Sequence, residues 1–384
     1  MQSISIYIHW PFCLSLCPYC DFNSHISDSI DHKLWLSAYK KEINYFAHKI
    51  KGRPVRSIFF GGGTPSLMRP EVVASIIEEI ADIALVSEDT EITLEANPTS
   101  YEAKKFQGFK DAGINRVSIG IQSLNEDRLK FLGRKHSAED AVNAISSATK
   151  LFDRYSFDLI YASENQSLQE WQSELKQALP LSGGHISLYQ LTIEKGTPFY
   201  KLFHEGKLSL PQNDIAANMY EWTNQYLLEN NYKRYEISNY AKIGDESIHN
   251  LCYWNYDEYI GIGAGAHSRL HNPNGEIQAV MMTHKPDIWL KKALEKGNGI
   301  QSKISLSQKE IVEEAFMMGT RLENGIALDR FHQITKSNLY DVLNLDVIKY
   351  YIDQGFVNMD SKKLALTDKG LMLHSYLVPR MLKT

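Results

Sequence analysis

Cysteine is scarce in this chain, with four in 384 residues, and three of the four, Cys13, Cys17 and Cys20, fall within eight positions. That distribution cannot build a disulfide framework and points to a reducing compartment. No uninterrupted apolar run approaches the length needed to span a bilayer. The opening Ser3-Ile4-Ser5-Ile6-Tyr7-Ile8 alternates like a strand and lacks the basic and apolar regions of a secretory leader. A cytoplasmic protein is the expectation. Positive charge is not in excess either: 41 Lys and Arg face 46 Asp and Glu. That balance gives no support for a nucleic-acid or anionic-membrane surface. Internal repeats and low-complexity segments are absent. The length and the 43% hydrophobic content suit two or three ordinary globular domains.

Strand and helix patterns alternate through the first half. Strands are expected at 3–9, 55–60, 91–96, 115–121, 156–161 and 185–191. Helices are expected at 30–49, 70–83, 101–112, 126–132, 138–151 and 168–179. Such repetition argues for parallel βαβ units. Six units are too few for a closed eightfold barrel, so the spacing predicts an α/β fold, an open partial (β/α)6 TIM-like barrel. In α/β barrels the working residues sit at the C-terminal ends of the strands. The cysteine loop follows the first strand here and Gly61-Gly62-Gly63-Thr64-Pro65 the second. Glu95 ends the third, Gln122 follows the fourth, Asp158 lies in the fifth and Gln190 near the end of the sixth. These polar residues converge on one rim.

Beyond residue 195 the pattern changes. A helix at 213–228 and a strand at 232–238 precede an expected loop, rich in aromatics and glycine, that runs to about His271. Helices at 308–321, 329–335 and 345–354, a hairpin at 356–366 and a final helix describe a small winged-helix-like α+β domain. It has no concentrated basic face, so a lid or docking role is expected in place of DNA binding. The divisions expected are residues 1–195 for the barrel with its cysteine loop, 196–300 for an extension and 301–384 for the C-terminal domain.

The spacing of Cys13, Cys17 and Cys20 is C-x3-C-x2-C, close enough for a curled loop to aim three thiolates at one soft metal centre. Free or buried thiols are the plain alternative. A structural zinc wants four protein ligands, commonly as paired C-x2-C units, and only the distant Cys252 is left to complete a set. An iron–sulfur cluster with three cysteine ligands fits better and leaves one iron open. The glycine triplet lets backbone approach a ligand, or simply makes a tight turn. Glu95 places a charge in an apolar strand and needs a partner if buried. Arg134 offers a fixed cation for a carboxylate, or caps a solvated helix end. His249 stands near aromatics in His249-Asn250-Leu251-Cys252-Tyr253-Trp254 and is either a packed, hydrogen-bonded histidine or an axial haem ligand. Cys252 is then a second ligand or a site of thiol attachment.

C-x3-C-x2-C with a following aromatic resembles the signature of the radical S-adenosylmethionine (SAM) superfamily, and Tyr7-Ile8-His9-Trp10-Pro11-Phe12 resembles its coproporphyrinogen dehydrogenase (HemN) and HemW haem chaperone branch. The similarity runs from the N-terminus to about residue 270 and more weakly beyond. The resemblance implies the same partial-barrel fold. It also implies a [4Fe-4S] cluster on Cys13, Cys17 and Cys20, with SAM on the fourth iron. Gly62, Gly63 and Thr64 would meet the amino and carboxylate end of SAM. Glu95 would meet its ammonium or ribose, and Gln122, Arg134, Asp158 and, more loosely, Gln190 would line its pocket. Tyr7 and Tyr19 would stand beside the cluster. Oxidase-type members carry a further cysteine two residues past the third, where this chain has Phe22, and H-N-x-x-Y-W resembles the motif of the haem-binding chaperones. The resemblance therefore implies haem held through His249, with Asn250, Cys252, Tyr253 and Trp254 around it. Partners would be haem and haem-accepting proteins such as respiratory enzymes at the membrane, and the cluster and SAM would support dimerisation or haem transfer and not porphyrinogen decarboxylation. The competing reading is oxygen-independent coproporphyrinogen III dehydrogenase, which would use the same residues for oxidative decarboxylation. Family members leave strand five through a Gly-Leu-Pro-Gly turn, where this chain has Tyr161-Ala162-Ser163-Glu164-Asn165. Ala and Ser resist φ > 0, so that turn is expected to be rebuilt.

Overall fold

The computed structural model describes residues 2–27, 29–272 and 275–383. Six strands follow one another in parallel: β1 (Ile4–Trp10), β2 (Val55–Gly62), β3 (Glu91–Ala96), β4 (Arg116–Gln122), β5 (Arg154–Tyr161) and β6 (His185–Gln190). They form the middle of a twelve-stranded sheet. The open partial barrel expected from the alternation is present.

Each strand alternates between an apolar outer face and a polar inner one, as a period of two requires. In β1, Ile4, Ile6, Ile8 and Trp10 join the core beneath the helices. Ser5 and Tyr7 turn inward, where Ser57 Oγ donates to Ser5 Oγ at 2.8 Å and Tyr7 lies against Phe59. Farther round the lumen, Arg116 donates to Ser156 Oγ at 2.9 Å and Ser156 to Ser118 Oγ at 3.0 Å. The interior of the barrel is hydrophilic and its outside is oil.

The helices that cover that outside include α1 (His32–Tyr45), α2 (Pro70–Ala81), α3 (Ala138–Leu151) and α4 (Leu168–Ala178). The Asp31 carboxylate caps α1, and capping boxes at Ser137/Asp140 and Ser167/Glu170 start α3 and α4. Helix α2 buries Val72, Val73, Ile76, Ile77 and Ile80 at helical spacing, each worth about 1.5–3 kcal/mol of burial. The helix expected at 101–112 is instead two short ones, Ser100–Ala103 and Phe106–Asp111. Glu102, in the first, is tied to Ser66 Oγ and to Asn97 N.

The largest departure lies in the stretch expected as a loop up to His271. It contains a helix, Ile248–Trp254, and two strands, Tyr259–Ile262 and His267–His271. Tyr259–Ile262 pairs in parallel with the free edge of β1, and antiparallel strands His267–His271, Ile277–Met282 and Ile300–Ser305 continue outward. The glycines there serve close approach and not looseness. Gly263 has φ +108°, and a Cβ on it would lie 2.4 Å from His9 O. Its amide donates to the buried Glu42 at 2.8 Å. At the other edge, Asn239–Ala241 and Lys233–Glu236 close the sheet beside β6.

A second core gathers side chains from Leu306 to Leu382. Helices Gln308–Gly319, Leu328–Thr335 and Leu345–Asp353, the hairpin Val357–Met359/Lys363–Leu366 and the closing helix His374–Met381 follow the winged-helix-like order expected. Ion pairs Arg234–Asp368 (2.7 Å) and Arg321–Glu236 (3.0 Å) fasten this domain over the β6 edge. Among the described residues no helix is long and apolar enough to cross a membrane.

Candidate functional site

The C-terminal ends of the strands open into a cavity of about 900 Å³. Its far wall is supplied by the C-terminal domain through Arg321, Leu373, His374 and Tyr376. Cys13, Cys17, Cys20, Tyr19, Gly62, Gly63, Thr64, Glu95, Gln122, Arg134, Asp158 and Gln190 all line it. Residues spread over 178 positions of sequence are thus brought to one chamber, as the rim argument expects. Tyr7 is the exception. It lies behind the wall, where its hydroxyl donates to His9 Nδ1 at 3.0 Å, because His9 Nε2–H is committed to Asn23 O at 2.9 Å.

The three thiols are free and half-buried. Two are joined through a relay of side chains. Thr64 Oγ1 donates to Cys13 Sγ at 3.3 Å and accepts from Asn97 Nδ2 at 3.1 Å. Arg134 Nη2 donates to Asn97 Oδ1 at 2.7 Å and to Gly120 O at 2.6 Å, while Arg134 Nη1 reaches Cys17 Sγ at 3.4 Å. Donors therefore already face two of the sulfurs, as they would face thiolates. Burial pushes the Cys13 thiol up and that of Cys20 up to about 11, a cost that metal ligation reverses. Among the described residues, no three His, Cys, Asp or Glu side chains gather around a point that a single ion would occupy.

The glycine turn is built for approach. Gly62 has φ +114°, and a Cβ there would enter the His9 ring at 2.6 Å; a Cβ on Gly63 would meet Phe12 backbone at 2.7 Å. The three amides are spent: Gly62 N on Glu95 Oε2 (3.1 Å), Gly63 N on Trp10 O (2.7 Å) and Thr64 N on Phe12 O (2.8 Å). What the turn can offer a ligand is acceptors, the chemistry an ammonium needs. Gln122 ends β4 at φ +65°, a strained setting for a non-glycine residue of the kind found at ligand sites. A Cβ on Gly120 would lie 2.9 Å from Gln122 Nε2, so that glycine makes room for it.

Two carboxylates share the lumen below. Burial, with the Asp158 charge behind it, pushes Glu95 up to about 8. Burial raises Asp158 to about 6 against Ser187, Arg116 and Arg134, which favour its charge. A cationic ligand over Glu95 would restore its ionisation. Asn97 was missed by the sequence reading, although a polar residue just past a strand end and before Pro98 was its signal.

The structure does not bring the second motif to this cavity. Helix Ile248–Trp254 plugs the opposite end of the barrel, its N-terminus seated on the buried Glu91, which accepts from Ile248 N at 3.2 Å and His249 N at 3.0 Å. His249 is 1% exposed. Ser57 Oγ, having given its proton to Ser5, accepts from His249 Nδ1–H at 2.8 Å, and His249 Nε2 accepts from Tyr253 OH at 2.8 Å. The ring stacks on Phe59 at 4.9 Å, and burial pushes its pKa down to about 3. Cys252 is 1% exposed with its thiol near Glu258 O, and burial pushes it up to about 12. Asn250 contacts Tyr235 OH at 3.4 Å, and Trp254 lies under the Arg321 guanidinium at 4.4 Å. In this arrangement neither nitrogen of His249 is open to an iron.

In the turn after β5, Ala162 takes φ +56° and Asn165 φ +56°, left-handed conformations adopted without glycine. Ser163 Oγ, 0% exposed, accepts from Arg128 Nη1 at 3.0 Å and helps to hold it.

A partial parallel barrel with a three-cysteine loop, a glycine turn and a carboxylate at one mouth defines a radical SAM protein, and residues 7–178 match the Radical SAM superfamily. Its cofactors are a [4Fe-4S] cluster and SAM, for which the cavity has the right donors. Residues 306–373 match the HemN C-terminal domain. The chain is 36% identical to heme chaperone HemW of Escherichia coli, covering 98% of each. It is 38% identical to a mitochondrial radical S-adenosyl methionine domain-containing protein 1 of Danio rerio, over 98% of this chain and 86% of that protein. The fold matches coproporphyrinogen III oxidase (HemN) of Escherichia coli with a TM-score of 0.82 at 20% identity, covering 99% of this chain and 90% of that one. The chain belongs to the HemN/HemW family of radical SAM proteins.

Proposed function

We propose that this protein is a haem chaperone that binds haem and passes it to haem-dependent proteins, respiratory enzymes among them. The observation that carries this reading is the near full-length relationship to proteins named heme chaperone HemW. Phe22, 64% exposed where oxidase-type members carry a further cysteine, supports it. Work in the cytoplasm, contact with the membrane during delivery and a homodimeric state belong to the same proposal. So does the division of labour among residues 1–195, 196–300 and 301–384.

Cys13, Cys17 and Cys20 would hold the cluster, and Gly62, Gly63, Thr64, Glu95, Gln122, Arg134, Asp158 and Gln190 would hold SAM, with Tyr19 at its side. When bound and reduced, the cluster supplies the electron that can cleave SAM. Arg134 positions Cys17 and, through Asn97 and Thr64, Cys13. Glu95 gains a counterion and loses its proton when an ammonium arrives. The C-terminal domain supplies the far wall of the chamber through Arg321, Leu373, His374 and Tyr376.

The test is anaerobic transfer of haem from the loaded, cluster-containing protein to an apo-haemoprotein, followed by the acceptor's spectrum. Transfer faster than from free haem supports the proposal. No haem uptake, together with SAM-dependent decarboxylation of coproporphyrinogen III, overturns it in favour of the dehydrogenase.

A further inference from the structure

Two bands of opposite charge lie side by side on the outside of the barrel, and the chain pairs them only at their seam. We infer that together they form a self-complementary docking surface for a second copy of this chain, which deepens the homodimeric state proposed above and rests on it.

The basic band is carried by α1 and by the helix Pro286–Lys296 packed beside it. Trp35 and Trp289 stack between the two at 5.1 Å, and Lys41 Nζ donates to Leu294 O at 2.6 Å. Lys33, Lys41, Lys285, Lys291 and Lys296 are exposed there, over a groove of about 630 Å³ with Leu36 and Leu294 in its lining. The acidic band is carried by α2 and the turn that follows. Glu71, Glu78 and Asp82 recur at the spacing of one helix face, Glu88 and Asp89 extend the band toward β3, and all are exposed. At the seam Lys40 meets Glu79 at 3.0 Å, while the other charges of both bands make no ion pair among the described residues. Elsewhere neighbouring charges close on one another, as Arg56 and Arg330 do on Asp257 and Arg269 does on Glu314.

Geometry decides the occupant. Each of the two helices returns the chain between neighbouring parallel strands, so α1 and α2 run the same way, and the Lys40–Glu79 pair sets them level. Two turns nearer the N-terminus, Lys33 is therefore level with Glu71 and Val72. A two-fold axis along the seam lays Lys33 of each copy against Glu71 of the other and Lys41 against Glu78. Every contact then occurs twice, as an isologous interface requires. An anionic bilayer would gain the lysines but meet the acids alongside them, and a cationic partner would meet the reverse. A second copy of the chain satisfies both bands at once. Exposed ion pairs are individually weak and screened by salt, so the association is concentration- and salt-dependent. Leu34 and Tyr45, 41% and 39% exposed on the Lys41 side of α1, add apolar contact to it.

The experiment is sedimentation velocity of the full-length, anaerobically reconstituted protein with SAM, over a concentration series, at low salt and at about 0.5 M NaCl. Three samples accompany the parent: Glu71→Lys/Glu78→Lys, Lys33→Glu/Lys41→Glu and their equimolar mixture. The expected result is a parent dimer that salt weakens and roughly tenfold or greater weakening in each double variant. The mixture should recover the dimer, because an all-basic surface there meets an all-acidic one. Circular dichroism and the cluster chromophore should match the parent's in both variants. An undiminished dimer in both would overturn the inference and leave the dimeric state standing on another surface. So would two monomeric variants whose mixture stays monomeric, since charge complementarity requires the rescue. Phosphatidylglycerol vesicles that bind the parent but not Lys33→Glu/Lys41→Glu, with sedimentation unchanged, would overturn it in favour of a bilayer. A parent that stays monomeric at every concentration, with cluster and SAM bound, would defeat the dimeric state and this inference with it.

Discussion

The two ends of the barrel lumen are built from the same alternating strands yet are in opposite chemical conditions. At the mouth, sulfurs, glycine carbonyls and a carboxylate raised to about 8 face a cavity with unused capacity. At the floor, Glu91, Ser57, His249 and Tyr253 satisfy one another, and both ring nitrogens of His249 are taken. Unmet hydrogen-bonding and charge capacity, more than residue type, separates a site from a buttress. A histidine is equally a ligand or a beam, and its partners decide which.

Substitutions at the two ends should sharpen that contrast. The largest effect is expected from Cys13→Ser, Cys17→Ser or Cys20→Ser, each of which should abolish the brown, iron- and sulfide-containing chromophore while circular dichroism stays native. At the floor, His249→Ala should leave the chromophore intact but destabilise the fold by about 2–4 kcal/mol, since it opens a cavity and strands Tyr253 OH and Ser57 Oγ. Denaturant melts of the apo-protein would register it, and an unchanged midpoint would refute the buttress role. A smaller effect is expected from pH. Glu95 and Asp158 have folded pKa values, about 8 and about 6, above their ordinary values. The folded state therefore holds more protons than the unfolded one between pH 4 and 8, and this contribution to stability is full below pH 4 and lost as pH rises through 6 and 8. The melting temperature of the SAM-free protein should decline across that range, and Glu95→Gln should flatten the decline above pH 6. The smallest effect is expected from Ala162→Gly, which relieves a left-handed alanine and should stabilise by about 1 kcal/mol.

The mouth was legible in sequence because barrel topology sends strand ends to one rim, so position alone gathered Glu95, Gln122, Asp158 and Gln190. The floor was not legible. That His249 lies against Ser57, 192 positions away, follows from a helix seated on Glu91, and local pattern carries no trace of such a contact. The Gly261–His267 stretch read as loop, whereas its glycines are demanded by close neighbours: His267 O at Gly261, His9 O at Gly263 and the Asn23 side chain at Gly265. Inward polar residues such as Ser5, Ser57 and Arg116 were visible as alternation, but their sidedness emerges only once the strands pair. Tyr7 was placed at the cluster by resemblance and stands one layer behind it, where it orients His9.

The most direct test is electron paramagnetic resonance of the reduced, reconstituted protein before and after SAM, alongside iron and sulfide analysis. About four iron and four sulfide per chain, with a signal that changes on adding SAM and no longer does so in Arg134→Ala, is the predicted result. A signal indifferent to SAM in the parent protein would mean that no iron is open to it, and would contradict the site.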